Sequence, residues 1–404
     1  MTRSAMKLGT SSLIVAAFVG PGTVLTCATA GVDFGYDLAW VLLFSTGAAY
    51  VLQSFTAGTG ILAGKGVGEA MREATRGTTQ RAVVFTLVIL GLWVGTAAFE
   101  TGNLLGAAAG LETLLEGSVH RGVLVIGLAL AAAAVLVLDL QVLTKVLAAL
   151  VALMSVTFVL TMFLAPVDWG AALGGLLTPS LPDGSIVKVI ALIGTTVVAY
   201  NLFLHASASK RYWRDQPARQ AWKREMIGMA IFLPAGGVIS VAILIAGASL
   251  SASGAQVSSI ADLAPLIEPA AGRAAQLLFG LGLAAAGITS TITAPLAAAW
   301  GIREIFAWPD EAGHWGFRGV WLSVLISGLV FALLGRNPLE IIIAAQAANG
   351  LLLPFMAGLV LFLTTRQLAV TLPRWYVMIG VVVTVICAGL GLRTLAWVWA
   401  QLGL

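Results

Sequence analysis

The chain has 404 residues, 59% of them hydrophobic and only 10% charged, with a formal net charge of +4. A mean hydropathy of +0.98 excludes a water-soluble globular domain and leaves a protein that lives in a bilayer. The two cysteines, Cys27 and Cys387, both lie in apolar stretches and cannot build a disulfide framework or a zinc site.

A hydrocarbon core needs about 20 apolar residues per helical span. Eleven spans are expected, near residues 12–30, 38–62, 82–108, 122–139, 143–165, 186–206, 227–249, 273–298, 319–335, 338–363 and 375–396. The first has no small-residue cleavage site and ten others follow it, so it reads as a retained helix. With alternate loops assigned to one side, 17 of the 22 lysines and arginines share that side. The positive-inside rule then predicts a multi-pass cell-membrane protein with a cytoplasmic N-terminus and an external C-terminus. The basic runs are anchors beside the bilayer, and no nucleic acid is implied.

The first span is interrupted at membrane depth by Gly20, Pro21, Gly22 and Thr23. Proline removes a donor and clashes with the preceding turn, and glycine lowers the cost of non-helical dihedrals. In lipid, such a break is tolerated only where it is packed in protein or lines a polar cavity. Glu100, in the third span, is an intramembrane carboxyl, which is a functional candidate by default. The sixth span gathers Gly194, Thr195, Thr196, Tyr200, Asn201 and His205. Two interrupted helices, one early in each half, are the pattern of secondary transporters built from inverted repeats, with the binding site between the breaks. The division is a single transmembrane domain over 1–404, with repeat one at about 10–165, repeat two at about 185–363 and an extra helix at about 375–396. Nucleophile-elbow, H-E-x-x-H and Walker motifs are missing from the sequence, so neither an enzyme nor a cofactor is expected.

The runs "FGYDLAWVLLFS" (34–45), "LQSFTAGTGILAGKGVGEAMRE" (52–73), "GTTVVAYNLFLHASA" (194–208), "AAAGITSTITAPLA" (284–297) and "AAQAANGLLLPF" (344–355) resemble the Nramp family of proton-coupled divalent metal transporters. The resemblance implies an all-α membrane protein of the leucine-transporter type, with 5+5 inverted repeats, about 11 transmembrane helices and broken helices one and six. The family's D-P-G-N in helix one is Gly20-Pro21-Gly22-Thr23 here, and its A-T-V-M-P-H-N in helix six is residues 195–201, Thr-Thr-Val-Val-Ala-Tyr-Asn. The metal-binding aspartate is thus Gly20, the asparagine Thr23, the methionine Val198 and the first histidine Tyr200. In helix three, Glu100 falls on the family's aspartate and Asn103 on its glutamate. His205 falls on the second helix-six histidine, and Gln346 on a helix-ten glutamine, with Asn349 three positions on.

The substrate-binding candidates are therefore Gly20, Gly22, Thr23, Thr195, Val198, Tyr200, Asn201, Gln346 and Asn349, and the proton-pathway candidates are Glu100 and His205. A partly desolvated divalent cation needs anionic or strongly dipolar ligands, and thioether sulfur favours transition metals over calcium or magnesium. The replaced positions offer carbonyls and hydroxyls only. Three readings follow: a metal ion transporter; a transporter of a small neutral, zwitterionic or anionic solute such as an amino acid or carboxylate; and a non-transporting partner subunit.

Overall fold

A computed structural model of the chain describes residues 10–137, 140–249, 257, 263–309, 314–334, 338–368 and 372–402. The described chain is helical, in the order α1 (Ser11–Phe18), α2 (Pro21–Phe34), α3 (Ala39–Ile61), α4 (Val67–Ala74), α5 (Arg81–Leu114), α6 (Arg121–Val135), α7 (Leu140–Leu164), α8 (Trp169–Leu177), α9 (Ile186–Thr196), α10 (Ala199–Tyr212), α11 (Ala218–Ala248), α12 (Leu263–Phe306), α13 (Trp315–Leu333), α14 (Pro338–Leu368) and α15 (Arg374–Leu402).

Among the described residues, seven segments have the length and hydropathy of a membrane span, α9 with α10 counting as one, and α1 with α2 forms one more, bent by 57°. The shorter apolar segments Arg121–Val135, Leu353–Leu368 and Arg374–Gly389 take the remaining places, so all eleven expected spans correspond to helices. Two boundaries move in a way that matters. The seventh span, expected at 227–249, starts at Ala218, and the eighth, expected at 273–298, runs to Phe306. Charged residues outside the expected spans, Glu225, Arg303 and Glu304 among them, are therefore helical and buried.

The centre of the bundle is made by the broken spans. In its most apolar stretch Ile186–Tyr212 is 83% buried, against 33% for Trp315–Leu333, which faces outward. The second span, α3, packs against α10 and α11, while α5 and α12 form the most extensive contact between described helices. Helix α2 meets α11 almost backbone to backbone: a Cβ on Gly31 would strike the α11 backbone at Leu244 and Ala248, and one on Gly247 would strike Ala28. Small residues permit this approach, which in lipid replaces hydrophobic burial as a source of association.

Candidate functional site

Both expected breaks are present, and they are closed by different chemistry. At the first, Gly20 is extended (φ −105°, ψ 179°) and Pro21 opens α2. Proline suits that position, because its missing N–H is one that a first turn leaves unpaired anyway. The space beside Gly20 is occupied: a Cβ there would lie 2.6 Å from Ser290 Oγ on α12 and 3.5 Å from Asn103 Oδ1 on α5. Ser290 donates to the Ala16 carbonyl at 3.3 Å. The Thr23 hydroxyl donates to the Phe18 carbonyl and pairs with the Thr195 hydroxyl at 2.6 Å. Gly22 is buried in the first turn of α2.

The second break falls at Val197 and Val198, which leave helical geometry with ψ 78° and 125°. Asn349, reaching in from α14, serves both exposed ends. Its amide donates to the Gly194 carbonyl at 2.5 Å and to the Val197 carbonyl at 3.5 Å, and its oxygen accepts the Ala199 N–H at 3.1 Å. Tyr200 crosses to the other broken span, donating to the Ala17 carbonyl at 3.3 Å, with its ring edge-on to Phe99. Val198 is buried as an apolar wall. Asn201 is fully buried, and neither atom of its side-chain amide has a hydrogen-bond partner among the described residues. Buried amides are seldom left so, which marks Asn201 as a group with capacity to bind. The side chain of Gln346 lies outside the described residues. An apolar cavity of about 400 Å³ reaches this break from the lipid-facing side of α5, past Leu90 and Val94 to Phe99, Tyr200 and Asn349.

Glu100 is fully buried on α5 and packs against Gly328 of α13. Its Oε2 accepts from the Asn103 amide at 3.2 Å, and its Oε1 has no partner among the described residues. Asn103 therefore bonds this carboxyl and borders the space beside Gly20 at the first break. His205 lies one helical turn beyond Asn201 and is paired: Nδ1 is 3.0 Å from Gln53 Oε1 and Nε2 is 3.1 Å from Glu225 Oε1. Both ring nitrogens face oxygens, so the ring donates on both sides or the Gln53 amide presents its NH2. Glu225 also accepts from the Ser11 hydroxyl at 2.8 Å, the Thr10 hydroxyl at 3.0 Å, the Thr10 N–H at 3.1 Å and the Trp213 indole at 2.6 Å.

Sequence reasoning missed Glu225 and Gln53. The available signal for Glu225 was register, since Ala221 and Met229, four residues to either side, put it on an apolar helical face; all three are buried.

The run from Gly66 to Glu73 builds a corner away from the breaks. The Gly68 N–H donates to Glu304 Oε2 at 3.2 Å and the Ser207 hydroxyl to Glu304 Oε1 at 2.5 Å. Lys210 pairs with Glu69 at 2.7 Å and Lys65 with Glu73 at 2.6 Å. The Lys65 hydrogen bond holds the Glu73 carboxyl below its ordinary range. The glycines let α4 lie against the end of α12, where a Cβ on Gly66 would enter the Glu304 carboxyl group. Among the described residues, no group of three or more His, Cys, Asp or Glu side chains is placed to hold a metal ion.

Residues 11–396 match the family described as Nramp, natural resistance-associated macrophage protein-like. The chain is 26% identical over 363 residues to the divalent metal cation transporter MntH of Acidiphilium cryptum, covering 87% of this chain and 80% of the relative. It is 26% identical over 396 residues to MntH of Klebsiella pneumoniae, covering 95% and 92%. The crystal structure of the Eremococcus coleocola manganese transporter, in complex with an aromatic bis-isothiourea substituted compound, superposes with a TM-score of 0.78 at 21% identity, over 96% of this chain and 86% of that one. That likeness shows the leucine-transporter type of fold.

Proposed function

The chain belongs to the Nramp family, and from that premise we propose that it is a multi-pass secondary transporter that moves a divalent metal ion through the site between its two broken helices. The observation that carries the reading is the junction of the breaks, where the Thr23 hydroxyl of α2 and the Thr195 hydroxyl of α9 meet at 2.6 Å beside the last residue of α1. Half-helix ends and free carbonyls hold ions in such folds.

The ligand set differs from a carboxylate and thioether pair. With Gly20 and Val198 in those places, the ion is held by the Thr23 and Thr195 hydroxyls, the Asn201 amide, backbone carbonyls and part of its own hydration shell. Asn349 and Tyr200 position this set, because their polar atoms already bind the broken ends. Glu100 is the proposed proton carrier, linked to the first break through Asn103. His205 belongs to the joint between α10, α11 and the start of α1, and is proposed to pass protons only as part of its pair with Glu225. The N-terminus is assigned to the cytoplasm and the C-terminus to the exterior, because the cations concentrate on the side of the N-terminus.

A second reading, carriage of a small neutral or zwitterionic solute, is favoured by one observation: the site of the family's aspartate is glycine, and its space is filled by Ser290 and Asn103. Manganese influx into proteoliposomes, read by quenching of a trapped dye, separates the two. The expected result is weak, saturable influx. The combined substitutions Gly20→Asp, Thr23→Asn and Val198→Met should lower the half-saturating concentration by about tenfold or more. A flat trace from folded wild type, together with thermal stabilisation by an amino acid or carboxylate, would overturn metal transport in favour of the second reading.

A further inference from the structure

The corner where α5 begins and α12 ends holds a cavity of about 560 Å³ that plays no part in the site between the breaks. Arg72 from α4, Thr78 and Thr79 from the following loop, Arg81 and Phe85 from α5, and Phe306 from α12 line it. Neither guanidinium forms an ion pair among the described residues. Arg72 donates one N–H to the Glu304 carbonyl at 2.9 Å, and Arg81 lies over the Phe85 ring at 5.1 Å.

Among the described residues, the nearby carboxylates are engaged elsewhere. Glu73 is bonded to Lys65 and feels Arg72 only through a longer-range attraction, Glu69 is on Lys210, and the Glu304 carboxyl is on Gly68 and Ser207. None of the three lines the cavity. The first turn of α5 adds positive potential, since Gln80 at its N-cap makes no side-chain cap. Two guanidiniums with free donors, the Thr79 hydroxyl and a helix start therefore converge on a space that no described carboxylate lines. Guanidinium groups match phosphate geometry through paired N–H donors.

Position decides which phosphate this is. Directly above Arg81, α5 turns lipid-facing side chains outward, with Val83, Leu87 and Leu90 all more than half exposed. Phe306, at the rim, is 53% exposed. The cavity thus sits at the level where headgroups meet acyl chains, on the face that carries most of the cations. We propose that it binds the phosphate of an anionic phospholipid, with the phosphate between Arg72 and Arg81 and the acyl chains along Phe85, Phe306 and the outer face of α5.

The test is native mass spectrometry of the purified full-length chain with equal amounts of phosphatidylglycerol and phosphatidylcholine of the same acyl composition. Wild type is expected to retain phosphatidylglycerol preferentially, and Arg81→Gln to reduce that preference about fivefold. Arg72 also supports the Glu304 carbonyl, so the second variant is Thr79→Glu, which leaves both arginines in place and sets a carboxylate at the rim. It should give a similar loss. Equal retention of both lipids by wild type, or an unchanged preference in both variants, overturns the assignment. Inorganic phosphate serves as the free-anion arm: if it alone displaces phosphatidylglycerol and raises the melting temperature of lipid-stripped protein in wild type but not in Arg81→Gln, the cavity is a free-phosphate site and the lipid assignment fails.

Discussion

The two helix breaks occupy matching places in the two halves of the chain, yet they are built from opposite materials. The first is written into its own residues: Gly20 and Pro21 prevent a continuous helix, and the two halves diverge by 57°. The second contains neither glycine nor proline at its centre, only Val197 and Val198, and its halves keep close enough to one line to read as a single span of 27 residues. What holds it open is a side chain 150 residues away, the Asn349 amide, which bonds both ends at once. A break made by backbone chemistry persists by itself, whereas one made by a distant amide persists only while two spans stay docked.

That contrast also marks what the sequence could disclose. Eleven spans were legible because a bilayer demands long apolar runs, and the first break because proline and glycine have local consequences. The sixth span showed its polar residues but not its breaking point, since a pair of valines is ordinary in a membrane helix. Asn349 was legible as an amide near the site, not as the group that joins α9 to α10. Gly20 read as the loss of a carboxylate; that Ser290 fills the space is a contact between spans one and eight. Glu225 was hidden by the span boundary, because its helix begins nine residues earlier than hydropathy alone predicts.

The largest effect should come from Asn349→Leu. The change leaves the Gly194 and Val197 carbonyls and the Ala199 N–H without their partner in a water-poor interior. At roughly 1–3 kcal/mol for each buried group left unpaired, a loss of about 3 kcal/mol or more is expected, seen as a lower melting temperature and less monodisperse protein. If Asn349→Leu melts like wild type, the second break is self-supporting and the contrast with the first disappears.

Thr195→Val should separate stability from transport at the first break. Thr23 keeps its bond to the Phe18 carbonyl, so the lost hydroxyl pair costs only about 1 kcal/mol. A proposed cargo ligand is nevertheless removed, and influx should fall by about tenfold with the melting temperature little changed. A melting loss as large as that of Asn349→Leu, with influx unaltered, would make the hydroxyl pair a structural clamp, and the two breaks would then differ in residue type alone.

The smallest effect is expected beyond both breaks, where α2 and α9 are tied by Lys188. Its ammonium is 3.0 Å from Asp33 and 2.8 Å from the Thr29 hydroxyl, with the Asp33 side chain 48% exposed. An ion pair so open to water is worth at most about 1 kcal/mol, and salt weakens it further. Lys188→Met should therefore lower the melting temperature slightly in low salt, and the difference from wild type should shrink as salt is raised. The opposite ends of the same spans provide the standard for this measurement: there Glu225 accepts from Thr10, Ser11, Trp213 and His205 in full burial, out of reach of salt. A large, salt-independent loss in Lys188→Met would mean that the α2 and α9 ends are locked as firmly as the α1 and α10 ends. The breaks would then be clamped from both sides, and movement about them would require both clamps to open. A small, screened loss leaves the α2 and α9 ends free to separate first, pivoting on the backbone break at Gly20 while Asn349 holds α9 and α10 together.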